Sequence, residues 1–151
     1  MKAQGLDAAF RATTYRVAPD DAVFDLRIGL AHPAFDAFLR RQNVSCWAVL
    51  TACNPGASRD DEDANAQRHQ CLHERLLEFG WLFAPASNIA ADGVWPAEPG
   101  FLLLQVGEQE VRKLAAEFSQ LAFVCGKIGG VARLGYVDAL MCSETGRPIG
   151  R

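Results

Sequence analysis

A small set of polar and aromatic side chains stands where a folded chain could gather them into one pocket. Asn54, Asn65 and Arg68 surround a single strand-to-helix loop, Trp95 and Glu98 lie in a proline-braced loop, and Gln120 sits at a helix-to-strand junction. The two asparagines are amides able to orient a ligand. Arg68 offers a charge-assisted grip on an anionic or carbonyl group. Glu98, beside the rigid ring of Trp95, is the candidate proton carrier and the candidate catalytic residue. A structural reading stands beside each assignment. Asn54 can brace the loop that Pro55 and Gly56 shape, and Arg68 can pair with Asp61. Trp95 can plug a sheet edge above a solvated Glu98, while Gln120 bonds to backbone.

The loop follows the continuous apolar run Cys46-Trp47-Ala48-Val49-Leu50-Thr51-Ala52-Cys53 and precedes a helix from about Asp60 to Phe79. A run of that kind reads as a strand covered on both sides. In open α/β sheets ligands bind at the carboxyl ends of such strands. Leu72, Leu76 and Phe79 mark the buried stripe of the helix by their spacing. The same sector, followed toward the amino terminus, carries Asp61, Asn65 and Arg68. Inward polar groups need partners, because each one left unpaired costs about 1–3 kcal/mol. Asp60, Asp61, Glu62 and Asp63 already suit the positive end of the helix dipole and oppose a phosphate there. The glycine spacing is not that of a P-loop. A neutral polar ligand, or one anionic group held by Arg68, fits better.

Other chemistry is thinner. His69 and His73 stand four apart, the spacing at which two imidazoles share a metal, but no third ligand accompanies them and no metal site is assigned. Ser58 has no His or Asp at triad spacing. Lys127, between glycines, reads as a hairpin tip before it reads as an anion contact. Five cysteines, with no Cys-x-x-Cys pair, read as free thiols of a reducing compartment, Cys53 being the one beside the loop.

The elements that must position these groups follow from the rest of the pattern. Tyr15–Ala18 and Ala22–Ile28 read as short strands, Pro33 opens a helix, and Trp81–Ala84 and Phe101–Val106 are further strands. Pro85 to Gly100 reads as a loop. Val111, Leu114, Ala115 and Phe118 define an amphipathic helix, and Leu121–Cys125 with Ala132–Val137 reads as a closing hairpin. The expected fold is a single α/β domain over 1–137, a mixed sheet of about six to seven strands packed by three helices, with a mobile tail at 138–151. At 151 residues the chain buries roughly 70% of its unfolded surface. A net charge of −3 supplies no broad basic field, which disfavours nucleic acid as a partner. No stretch has the length and apolarity of a membrane span, so a cytoplasmic location is expected and no membrane partner.

Thr51-Ala52-Cys53-Asn54-Pro55, Asn65, Arg68, Trp95-Pro96-Ala97-Glu98-Pro99-Gly100-Phe101 and Phe118-Ser119-Gln120-Leu121-Ala122-Phe123 together resemble a bacterial family of small proteins, domain of unknown function 3293. The resemblance runs roughly from Tyr15 to Tyr136 and implies a bacterial single-domain protein, with no activity or cofactor to carry over. It marks Asn54, Asn65, Arg68, Trp95, Glu98 and Gln120 as positions to consider together. A local second resemblance joins Cys53-Asn54-Pro55-Gly56 to the Asn-Pro-Gly turn of mismatch-type uracil/thymine DNA glycosylases, in which the Asn helps activate water. His32-Pro33 is similar to their second motif but lies upstream instead of downstream.

Three functional expectations result. The first is a small-molecule site, for a small polar ligand, at the strand-loop-helix of 51–68. The second is a non-enzymatic module that meets a protein partner through the Trp95 loop or the tail. The third, remote, is a glycosylase-like activity.

Overall fold

The computed structural model describes residues 3–137. Seven strands form one sheet in the order β2-β1-β4-β5-β3-β6-β7. They are β1 (Thr14–Val17), β2 (Phe24–Leu26), β3 (Cys46–Thr51), β4 (Leu82–Ile89), β5 (Glu98–Leu104), β6 (Ala122–Lys127) and β7 (Arg133–Tyr136). Four helices accompany them: α1 (Ala3–Ala12), α2 (Pro33–Arg41), α3 (Glu62–Phe79) and α4 (Glu108–Glu117). Every strand pair in the sheet is antiparallel, where a mixed sheet was expected. The reason lies in the connections. β3-α3-β4 and β5-α4-β6 are crossovers between strands that run the same way, but each pair is split by an intervening antiparallel strand. This β3-α3-β4-β5-α4-β6 order is the split βαβ arrangement of ferredoxin-like domains. The strand-end rule for open parallel sheets therefore does not apply to it.

The β1–β2 hairpin widens the sheet beyond β4, and β7 widens it beyond β6. The segment after β2 meets the segment before β7, through bridges of Ile28 with Ala132 and Ala31 with Val131. The sheet is thereby curled, with a convex and a concave face. Alternation along the strands sorts the apolar side chains between them. Ala48, Leu50, Phe101, Leu103, Phe123 and Cys125 face outward and are covered by Leu72 and Leu76 of α3 and Val111, Leu114 and Ala115 of α4. Tyr15, Val17, Leu26, Trp47, Val49, Leu102 and Val124 face inward.

α2 fills one end of the concave face. Pro33 starts it at the position where a missing N–H costs nothing, and Phe35, Phe38 and Leu39 are buried from it. Phe35 meets Trp47 edge to face at 5.5 Å. Buried Asp36 reaches the hairpin after β6, accepting the Gly129 N–H at 3.0 Å.

α1 roofs the other end, and it is the helix missing from the sequence-based expectation of three. Its signal is short, the spacing of Leu6, Ala9 and Phe10. Three hydrogen bonds fasten it: Tyr136 donates to Asp7 Oδ1 at 2.8 Å, Tyr15 to the Phe10 carbonyl at 2.9 Å, and Arg27 to the Arg11 carbonyl at 3.3 Å.

Two further expectations are corrected. β4 does not end at Ala84 but continues through Pro85 to Ile89, and β5 begins at Glu98. Pro85 brings no N–H to the sheet, while its carbonyl accepts the Ala18 N–H at 2.9 Å. Phe79 is 41% exposed, because the helix ends there at left-handed Gly80 (φ 73°); its ring rests on Trp81. The tail expected at 138–151 lies outside the described residues. No helix among the described residues is long and apolar enough to cross a membrane.

Candidate functional site

Between α1 and the concave face lies a cavity of about 410 Å³. Its roof is Leu6, Ala9 and Phe10, its floor includes Val49 and Val124, and its polar end gathers Thr51, Cys53, Asn54, Asn88, Trp95, Glu98 and Gln120. The extended β4 and β5 make this end. Their register sets Asn88 opposite Glu98, and β1 sets Tyr15 opposite Asn88, so all three share the inner face. Paired residues of neighbouring strands hold their side chains about 5 Å apart. Gly100 permits the close approach of β5 to β3, since a Cβ there would lie 2.5 Å from the Leu50 carbonyl oxygen.

The loop after β3 is held by its own side chains. Asn54 adopts the left-handed conformation at φ 50°, which Asn tolerates better than most residues, and a single 3-10 turn over Pro55–Ala57 follows. The Asn54 Oδ1 accepts from the Asp60 N–H at 2.8 Å and from Asn65 Nδ2 at 2.9 Å. The Asn54 Nδ2 donates to Glu98 Oε2 at 2.6 Å, and its backbone N–H donates to Asn65 Oδ1 at 2.8 Å. Asn65 thus stands behind Asn54 and fixes its orientation. Asp61 caps α3, accepting the Ala64 N–H at 2.8 Å.

Arg68 is committed to the same scaffold. It pairs with Asp60 at 2.7 Å, not with Asp61, and donates to Asn65 Oδ1 at 3.3 Å. Neither Asn65 nor Arg68 lines the cavity. The structure therefore brings Asn54, Trp95, Glu98 and Gln120 to the cavity wall and puts Asn65 and Arg68 in the layer that supports them. The Asp60 carboxyl is held below its ordinary range by the Asp61 N–H and then by Arg68.

Glu98 is the centre of the polar end. Its Oε2 accepts from Asn54 and, at 3.0 Å, from the Trp95 indole N–H. Among the described residues nothing donates to Oε1. The Asn88 Oδ1 is buried and also accepts no hydrogen bond among them. Gln120, 9% exposed, donates from Nε2 to the Cys53 carbonyl at 3.0 Å and ties β6 to the loop. Thr51 donates to the Pro99 carbonyl at 2.8 Å and accepts the Cys53 N–H at 3.1 Å. Burial pushes the Cys53 thiol up, despite the Thr51 hydroxyl nearby, so it stays protonated at neutral pH. Tyr15 is likewise held neutral by burial.

Asn88 and α1 are the pieces of the candidate site that sequence reasoning missed. Pro85 read as the end of a strand, which hid the small-residue alternation Ala84, Ala86, Asn88 that carries β4 to the cavity. His69 and His73 stack on Phe101 at 4.6 and 5.7 Å on the convex side, away from the cavity. Burial lowers the His69 pKa. No group of three or more His, Cys, Asp or Glu side chains among the described residues is placed to hold a metal.

Fold and site together define a curled antiparallel α/β domain with a half-polar cavity under its first helix. Residues 50–123 match the model of the family described as a protein of unknown function, DUF3293. The matched stretch contains Asn54, Asn65, Arg68, Trp95, Glu98 and Gln120, but not α1. Comparison with curated proteins and with solved structures gave no match.

Proposed function

We propose that this protein binds a small organic molecule in the cavity between α1 and the concave face of its sheet, apolar body under α1 and polar end against Glu98 and Asn88. The observation that carries the reading is a cavity of about 410 Å³, within the range of small-molecule sites, whose polar groups converge at one end of an otherwise apolar wall. Glu98 is its candidate proton carrier. The expected strand-loop-helix site keeps Asn54 as a wall residue, while Asn65 and Arg68 act as braces.

The interaction-module reading has less behind it. Its discriminating feature is an exposed Trp95 over a closed core, whereas Trp95 is half-buried and hydrogen-bonded to Glu98 beside an open cavity. The glycosylase-like reading needs an Asn54 amide free to orient water, and that amide is engaged at both ends.

The test is a thermal-shift screen of small metabolites on wild type and Ala122→Phe, which narrows the cavity from the β6 side. A compound that raises the wild-type melting temperature by several degrees, but not that of the folded variant, supports the reading. Equal stabilisation of both proteins by every hit sinks it.

A further inference from the structure

We infer that the cavity selects its ligand by charge: the geometry points to an organic cation, an alkyl- or arylammonium-type molecule with an apolar tail, whose N–H donors meet Glu98 and Asn88. The inference rests on the cavity being a ligand site and adds the chemical class. Among the described lining residues the charged side chains are Glu98 and Asp92; no Lys, Arg or His lines the wall. The acceptors at the polar end outnumber the donors still available. Glu98 Oε1 and Gln120 Oε1 accept from none of the described residues, and Asn88 Oδ1 is buried without a donor. Most donors nearby are used, the Asn54 amide and the Trp95 indole on Glu98 Oε2 and the Tyr15 hydroxyl on the Phe10 carbonyl, which leaves the Asn88 Nδ2 against three such acceptors. A buried acceptor left unpaired is costly, and a ligand bearing two or three N–H groups would relieve that cost. An ammonium supplies the charge as well.

An anionic ligand meets the opposite situation. It would bring its charge beside Glu98 with no cation on the wall to receive it. The guanidiniums nearest this end are occupied behind the wall, Arg68 by Asp60 at 2.7 Å, or lie over the Trp95 ring, as Arg59 does at 5.9 Å. Arg11 is paired with Asp7 at 2.8 Å on α1. The anchoring carboxylate is also preorganised. Two hydrogen bonds on Oε2 fix the Glu98 rotamer, so binding orders no side chain at the contact.

Three probes that share one flexible eight-carbon chain separate charge from shape: n-octylammonium, 1-octanol and octanoate, titrated by calorimetry at neutral pH into the full chain and into Glu98→Gln. Gln keeps an oxygen for Asn54 and Trp95 but removes the charge. The expected result is octylammonium binding about tenfold or more tightly than octanol, with octanoate weakest, a ratio equal to one well-formed charged contact. In Glu98→Gln the ammonium preference over octanol should fall to near unity. Octanoate binding as tightly as octylammonium overturns the charge assignment and leaves the cavity reading standing. A wild-type ammonium preference that survives in Glu98→Gln overturns the role of Glu98. Failure of all three probes on wild type removes the cavity reading, and this inference falls with it.

Discussion

The two ends of the concave face solve the same packing problem differently. At the α2 end, aromatic rings close the space: Phe24 lies 5.2 Å from Phe35 and 5.5 Å from Phe38, and Phe35 meets Trp47. At the α1 end, the roof is one leucine, one phenylalanine and small residues, and the sheet beneath carries Tyr15, Thr51, Asn88 and Glu98 beside the aliphatic Val49 and Val124. One helix is a plug and the other is a cover. Close-packed interiors seldom leave room beyond a few water molecules, and a space of this size with polar groups at one end is the observation on which the proposed ligand site rests.

Truncation separates the two ends most clearly. Phe35 is 1% exposed and Leu6 7% exposed, so burial alone ranks them together. The void each truncation leaves differs. Phe35→Ala opens a new cavity in a dense cluster and should cost about 3–5 kcal/mol in denaturant unfolding. Leu6→Ala enlarges a space already present, so mainly the transfer term is lost, nearer 2 kcal/mol. Equal losses at the two ends would mean that α1 is packed as tightly as α2, and the distinction drawn here would fail.

The next largest effect sharpens the polar end. Asn54→Ala deprives the Asp60 N–H of its partner, leaves Asn65 Nδ2 only the Asp60 carbonyl at 3.5 Å and Glu98 Oε2 only the Trp95 indole, and places alanine at φ 50°. The site is half open to water, so the sum stays below three full penalties, about 2–3 kcal/mol. Asn54→Gly separates the two causes. Glycine accepts the left-handed backbone and should recover about 1 kcal/mol of the loss, leaving the network term. A glycine variant no more stable than the alanine variant would place the whole cost on the side-chain network.

How much of this was legible in the sequence depended on how local each signal was. The β3 run, the α4 spacing and the β6–β7 hairpin were readable because neighbours a few residues apart carry those patterns, whereas Asp61, expected to face inward with Asn65 and Arg68, is exposed. The gathering of Asn54, Trp95, Glu98 and Gln120 was legible as a motif resemblance. Its geometry was not, since strand order is set by contacts between distant segments, such as Thr51 with Gly100 and Val49 with Val124. Arg68 shows the limit of helical spacing as a guide. Its side chain stays 32% exposed, and its partner is Asp60, one residue before the Asp61 that caps the helix, because the cap turns the Asp61 side chain back onto the Ala64 N–H. Asn88 was hidden by Pro85, which stands within β4 and whose carbonyl accepts the Ala18 N–H just after β1.

The smallest effect tests whether the two ends part company in acid. β7 carries Leu134, a cavity wall residue, and α4 clamps this edge strand through Glu108. Glu108 binds Arg133, and it meets Arg112 at 2.8 Å while Arg112 donates to the Tyr136 carbonyl at 3.0 Å. The Arg133 guanidinium, more than that of Arg112, holds the Glu108 carboxyl down at about 2 from an ordinary 4.5. A lowered folded-state pKa contributes stability that is present above 4.5 and lost as the pH falls through about 2. Within that window amide exchange at Leu134 and Tyr136 should accelerate before exchange at Leu39 in the α2 plug. Glu108→Gln should remove the acid dependence at β7 while costing about 0–1 kcal/mol at neutral pH, the range of a partly exposed ion pair. Simultaneous loss of protection at both ends, in wild type and variant alike, would show that the sheet opens as one unit and that the α1 end has no separate stability.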